Sequence, residues 1–198
     1  MTRHHTALRR NREMDKYVAF IRAINVAGHA SVRMSDLRDV FTAAGCKGVR
    51  TYIQSGNVIF DSPEDNIAAV FQRVRVRLCD LLGAEPGILF RTVREVEGIL
   101  RGAPFKGFET EPDTKLYVAF LSQKPRSKPR FPLLSPKEAL EAIAMKGREV
   151  FIVSRRKKNG FYGFPNNFIE KELGVSATSR NWSTLTKIVE FVRKEPDG

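Results

Sequence analysis

Apolar positions along this 198-residue chain recur in two rhythms, and they divide it into short strands and helices. Residues 17–25, YVAFIRAIN, form an apolar run that predicts a strand. Met34, Leu37, Val40, Phe41 and Ala44 fall at helical spacing and stop at Gly45. Val49–Ile53 and Val58–Phe60 are rich in β-formers and flank Ser55-Gly56-Asn57, which predicts a hairpin. Ser62-Pro63 opens a helix whose apolar stripe runs from Ile67 to Leu81 and ends at Gly83. A strand at Ile88–Arg91 and a helix over 95–100 follow. The order is β-α-β-β-α-β, then α.

The pattern is then written again. Tyr17-Val18-Ala19-Phe20 recurs as Tyr117-Val118-Ala119-Phe120. After it come a strand at 116–121, a Ser135-Pro136 helix start leading to Ala144, and a strand at 149–153. Residues 161–164 are read as its hairpin partner across Lys158-Asn159-Gly160. A helix at 167–173, a strand at 176–179 and a helix at 183–194 complete the second unit. The expectation is an α+β protein of tandem ferredoxin-like βαββαβ units with antiparallel sheets, each followed by a helix. Residues 15–103 and 114–198 are the expected domains, parted by a stretch rich in Gly, Pro and charge. Residues 1–14 read as a disordered basic tail, or as the product of an upstream start codon. They lack the apolar region of a secretory signal.

Composition narrows the classes. At 42% hydrophobic the chain can bury a core. No run approaches the roughly 18–20 apolar residues of a membrane span, so no membrane partner is expected. Cys46 and Cys79 have no metal-ligand spacing and read as thiols of a cytoplasmic protein. No metal, no cofactor and no catalytic signature is expected. Of the three histidines, only His29 lies near a polar cluster.

The net charge of +12 is unevenly placed. Residues 1–14 carry +3, residues 15–103 carry +2 and residues 104–198 carry +7. Two runs stand out: Lys124, Arg126, Lys128 and Arg130 in a proline-rich loop, and Arg155-Arg156-Lys157-Lys158 in the expected hairpin. That hairpin would bring both runs to one end of the second domain, a cationic surface suited to phosphates. Phe131, Phe161, Tyr162 and Phe164 are the aromatics that could add single-strand stacking. The plainer reading is a pair of solvated loops.

Three polar groups are further candidates. Arg22 with Asn25 closes an apolar strand, where a buried guanidinium needs a carboxylate or an anionic ligand. Ser55, Gly56 and Asn57 form a turn whose N–H groups could cradle an anion, or that simply supplies turn geometry. Arg180, Asn181 and Trp182 precede the last helix. Asn181 or Ser183 could cap it, and Arg180 could hold an anion at its N-terminus.

The stretches YVAFIRAINVAG (17–28), VRTYIQSGNVIF (49–60), FPNNFIEKELG (164–174) and ATSRNWSTLTKI (177–188) resemble the bacterial family catalogued as domain of unknown function 1697. The resemblance spans 16 to about 192. It implies a two-domain α+β protein and no assigned activity. It maps the family's characteristic positions onto Arg22, Asn25, Ser55, Gly56, Asn57, Arg180, Asn181 and Trp182. Ala23 and Ala27 replace glycines found in many relatives, and Tyr162-Gly163 replaces a Ser-Lys pair found in some. Three functions are open at this point: a non-catalytic binding module for nucleic acid or another polyanion, an enzyme or sensor for a small anion, and a structural or homodimer-forming protein.

Overall fold

A computed structural model describes residues 14–22, 32–53, 56–109, 111–126 and 128–194. The first half contains β1 (Met14–Ile21), α1 (Met34–Ala43), β2 (Lys47–Tyr52), β3 (Asn57–Pro63), α2 (Ile67–Leu82), β4 (Ile88–Thr92) and α3 (Val93–Arg101). Its four strands form an antiparallel sheet in the order β2-β3-β1-β4. Element and strand order are those of the expected unit. The first strand ends at Ile21 and Arg22 follows it in a bend; Asn25, the last residue of the expected strand, lies outside the described residues.

The second half contains β5 (Thr114–Leu121), β6 (Leu133–Ser135), β7 (Leu140–Lys146), β8 (Glu149–Arg155), α4 (Asn166–Leu173), β9 (Ala177–Asn181) and α5 (Trp182–Arg193). Its antiparallel sheet runs β6-β7-β8-β5-β9.

Two expectations fail here, for one reason. The Ser135-Pro136 start makes a single 3-10 turn at Pro136–Glu138, and Ala139 ends it with φ 54°. Residues 140–146 then pair with β8 and form β7, not a helix. Alanine-rich sequence favours helix intrinsically, but cross-strand pairing decides. A register shift between Ala142 and Ala144 hides the period-two alternation that would have announced the strand. Because β7 and β5 occupy both sides of β8, residues 161–164 have no place in the sheet. Only a single bridge, Arg156 to Tyr162, remains of that expected hairpin.

The outer face of the first sheet packs on α1 and α2 around Phe41, Phe60, Val74 and Leu78. That of the second packs on α4 around Ala119, Ile152, Ile169 and Leu173. The remaining faces close on each other. Val18, Phe20, Ile59 and Val96 from the first half share one core with Val118, Phe120, Phe151, Leu185 and Ile188 from the second. Phe20 and Phe120, equivalent residues of the repeat, stack at 4.5 Å between ring centroids. Among the described residues no helix is long and apolar enough to cross a membrane.

Candidate functional site

Arg180 lies on β9 and reaches across the shared core. Its Nε donates to Asn57 Oδ1 (2.6 Å), and its Nη2 donates to the carbonyl oxygens of Ile21 (2.9 Å) and Gly56 (3.3 Å). Nη1 donates to Ser179 O, and the guanidinium sits 5.3 Å from the Phe20 ring centroid. Asn57 is fully buried and its amide also donates to Tyr52 O. Burial brings the Arg180 guanidinium down to about 10, so it stays cationic at neutral pH. Arg180, Gly56 and Asn57 therefore meet, and they meet inside the protein. Their geometry ties the second sheet to the end of β1 and the β2–β3 turn.

The first half returns the contact. Arg91 on β4 is 2% exposed and donates through Nε to Glu149 Oε1 (2.9 Å) and through Nη2 to Leu121 O (3.3 Å). Its Nη1 donates to Phe90 O, and it lies 5.4 Å from the Phe120 ring centroid. The two arginines are related as the two halves are: Ile21 answers to Leu121, Phe20 to Phe120, and Asn57 to Glu149. Arg91 and Glu149 were absent from the sequence candidates. The signal was there, because Arg91-Thr92 and Arg180-Asn181 both stand where a strand turns into a helix.

Arg22 is ion-paired with Glu170 on α4 (2.5 Å), and Glu170 Oε1 also accepts from the Ala177 N–H. The guanidinium thus finds the internal carboxylate its position called for. Asn25 and Ser55, like His29, lie outside the described residues. Asn181 occupies the N-cap position of α5 without a side-chain capping bond, and Ser183 lies inside the helix. Trp182 packs edge-on against Phe105 at 5.1 Å, within the shared core.

Beside Arg22 a cleft of about 850 Å3 opens where β4 and β9, each at the edge of its sheet, come together. Arg22, Phe71, Arg75, Ile88, Ser122 and Thr178 are among its lining. Both arginines already carry carboxylates: Arg22 holds Glu170 and Arg75 holds Glu85 at 2.6 Å. Among the described residues no cluster of three or more His, Cys, Asp or Glu is arranged to hold a metal.

The basic runs separate. Arg155 pairs across the sheet with Thr114, at the start of β5, whereas the proline-rich loop leaves from Leu121, at its end. The real hairpin turn at Gly147-Arg148, not the Lys158-Asn159-Gly160 turn, meets the end of β5. The two runs consequently start from opposite ends of the sheet. Their chemistry differs too. Arg155 is bound to Glu111 and Glu141, Arg156 to Asp113 and Lys157 to Glu138. Lys124, Arg126, Lys128 and Arg130 are exposed and bear no such partners among the described residues.

A solved structure with the same architecture is that of the conserved bacterial protein SP0830 from Streptococcus pneumoniae. It is 19% identical, matches with a TM-score of 0.60, and the alignment covers 91% of this chain and 99% of that one. At that identity the likeness concerns the fold. No curated protein matches. The model of the family described as Protein of unknown function (DUF1697) matches residues 14–151, and the chain belongs to that family.

Proposed function

We propose that the protein is a non-catalytic binding module for an anionic polymer, nucleic acid or another polyanion, engaged through the basic stretch around β6, β7 and β8. One observation carries this reading. Residues 122–163 contain eleven Lys and Arg against three Asp and Glu. All three acids are already bound to cations: Glu138 to Lys157, Glu141 to Arg155 and Glu149 to Arg91. Lys124, Arg126, Lys128, Arg130, Lys137 and Lys158 are left exposed, with no ion pair among the described residues. Cations gathered in this way attract phosphates by releasing their counterions. The cleft beside Arg22 supports a small-anion site less well, because its arginines are neutralised by carboxylates.

Affinity for oligonucleotides and heparin as a function of salt tests the reading. Replacing Lys124, Arg126, Lys128 and Arg130 together by Ala should weaken binding and flatten the slope of log K against log salt, by about 0.7–0.9 for each phosphate that is no longer neutralised. A second quadruple variant, at Arg155, Arg156, Lys157 and Lys158, should flatten it less, since three of its cations are ion-paired. No binding at low salt, or an unchanged slope in the first variant, overturns the proposal.

A further inference from the structure

Four aromatic residues accompany the basic stretch, and the fold gives each a different place. Phe131 is half-buried against the outer core of the second half. The Tyr162 ring is covered by Lys115, whose Nζ lies 4.3 Å from its centroid. Phe164 meets Tyr117 edge-on at 5.8 Å. Phe161 is the most exposed of the four, at 71%, and among the described residues its ring meets no other ring and no cation.

That exposure is built, because the turn carrying Phe161 is closed by its own hydrogen bonds. The Lys157 N–H donates to Phe161 O and the Gly160 N–H to Lys157 O, both at 2.8 Å. The Phe161 N–H donates to Asn159 Oδ1 at 3.1 Å, and Arg156 Nε donates to Gly160 O. Gly160 takes φ 82°, which keeps the turn tight. At its base Gly163 lies so close to the Glu138 carbonyl oxygen that a Cβ there would collide with it. The turn is therefore seated against the 3-10 turn that follows β6. A large apolar ring held away from the core, with unpaired Lys158 beside it, suits a partner that offers both a flat apolar face and negative charge.

We propose that this partner is single-stranded nucleic acid and that Phe161 is its base-stacking platform. The inference rests on the polyanion reading above and narrows it. An unpaired base presents a free π-face, whereas a duplex hides its base faces within the stack. Edge strand β6 links the two elements: the Lys124–Arg130 loop leads into it, and the Phe161 turn packs where it ends. A strand laid along this edge would therefore meet the loop cations and the Phe161 ring in succession. Leu134, 62% exposed, stands between them.

Fluorescence anisotropy with labelled oligothymidylate, and with the same strand in a duplex, tests this on the full chain. Phe161→Ala should weaken single-strand binding about tenfold while leaving duplex affinity and the salt slope unchanged. Phe161→Trp should restore it. Because Phe161 is exposed, circular dichroism should show all three proteins equally folded. If Phe161→Ala binds the single strand as wild type does while the Lys124–Arg130 quadruple variant has lost affinity, the stacking site is refuted and the polyanion reading stands. If wild type binds neither oligonucleotide nor heparin, both fall. Displacement of the oligonucleotide by polyglutamate equally well from wild type and Phe161→Ala would reassign the surface to acidic protein and overturn the proposal.

Discussion

The strand-to-helix junctions Arg91-Thr92 and Arg180-Asn181 sit at equivalent places in the two halves and use different chemistry. Each arginine leans over the partner half's phenylalanine and binds the last carbonyl of that half's central strand. Arg91 then meets a carboxylate, Glu149, whereas Arg180 meets a neutral amide, Asn57, and a second carbonyl, Gly56 O. Thr92 caps α3 in a complete capping box with Glu95, whereas Asn181 heads α5 without a side-chain bond. The geometry of a repeat is thus retained while its electrostatics diverge. A cationic fork can be satisfied by one charge or by several dipoles, provided every N–H finds an acceptor.

Mutation can break this pairing most directly at the acceptors. Glu149→Ala leaves Arg91, almost wholly buried, without its carboxylate and should cost about 3–5 kcal/mol. Asn57→Ala removes only one neutral acceptor from Arg180 and should cost about 1–3 kcal/mol. Urea unfolding of the two variants side by side checks this, and equal losses would show that charge is not what separates the junctions. The next largest contrast lies at the helix starts. Thr92→Ala should cost about 1 kcal/mol, and Asn181→Ala less than about 0.5 kcal/mol. Their urea midpoints give the comparison, and a substantial loss at Asn181 would contradict its lack of a capping bond.

The smallest contrast is in alkali. Tyr17 and Tyr117 are equivalent, and burial raises both phenols. Cys46 is confined to the first half's outer core, where burial pushes its thiol from 9.0 up to about 12 against a smaller opposing effect of Arg73. Folded protein therefore holds this proton after unfolded chain has lost it. Its contribution to stability is complete below pH 9 and disappears as pH rises to about 12. Cys46→Ala should remove the part of the alkaline decline that begins near pH 9, as read from urea midpoints on either side of it. The part due to the tyrosines, which begins near 10, should remain.

The first half was largely readable because most of its elements obey local rules; the exception is Ser62-Pro63, read as a helix start, which pairs with β1 as the end of β3 while α2 begins at Ile67. Gly83, with φ 66°, ends α2, and the predicted hairpin strands pair as β2 and β3. The second half misled at residues 135–146, where Ser-Pro and alanines speak for helix and the decisive interaction is pairing with β8. That one misassignment displaced the hairpin and wrongly joined the two basic runs. Of the polar candidates, Arg22 stood out as costly to bury, Asn57 as part of a turn and Arg180 as the neighbour of a helix start, but the partners of the two arginines, Glu170, Gly56 O and Ile21 O, are remote in sequence. Composition could count the cations of the second half; only three dimensions could tell the paired from the unpaired.

The stacked Phe20 and Phe120 have a consequence for synthesis. As the first hundred residues leave the ribosome, the face bearing Val18, Phe20, Ile59 and Val96 has nothing to close upon. Its counterpart is the remainder of the chain, which at about 5–20 residues per second takes roughly 5–20 s to appear. For that interval the nascent chain presents a greasy surface with a vacancy of defined shape. Another nascent copy of the same first half, emerging nearby, would be the nearest imitation of what the vacancy awaits.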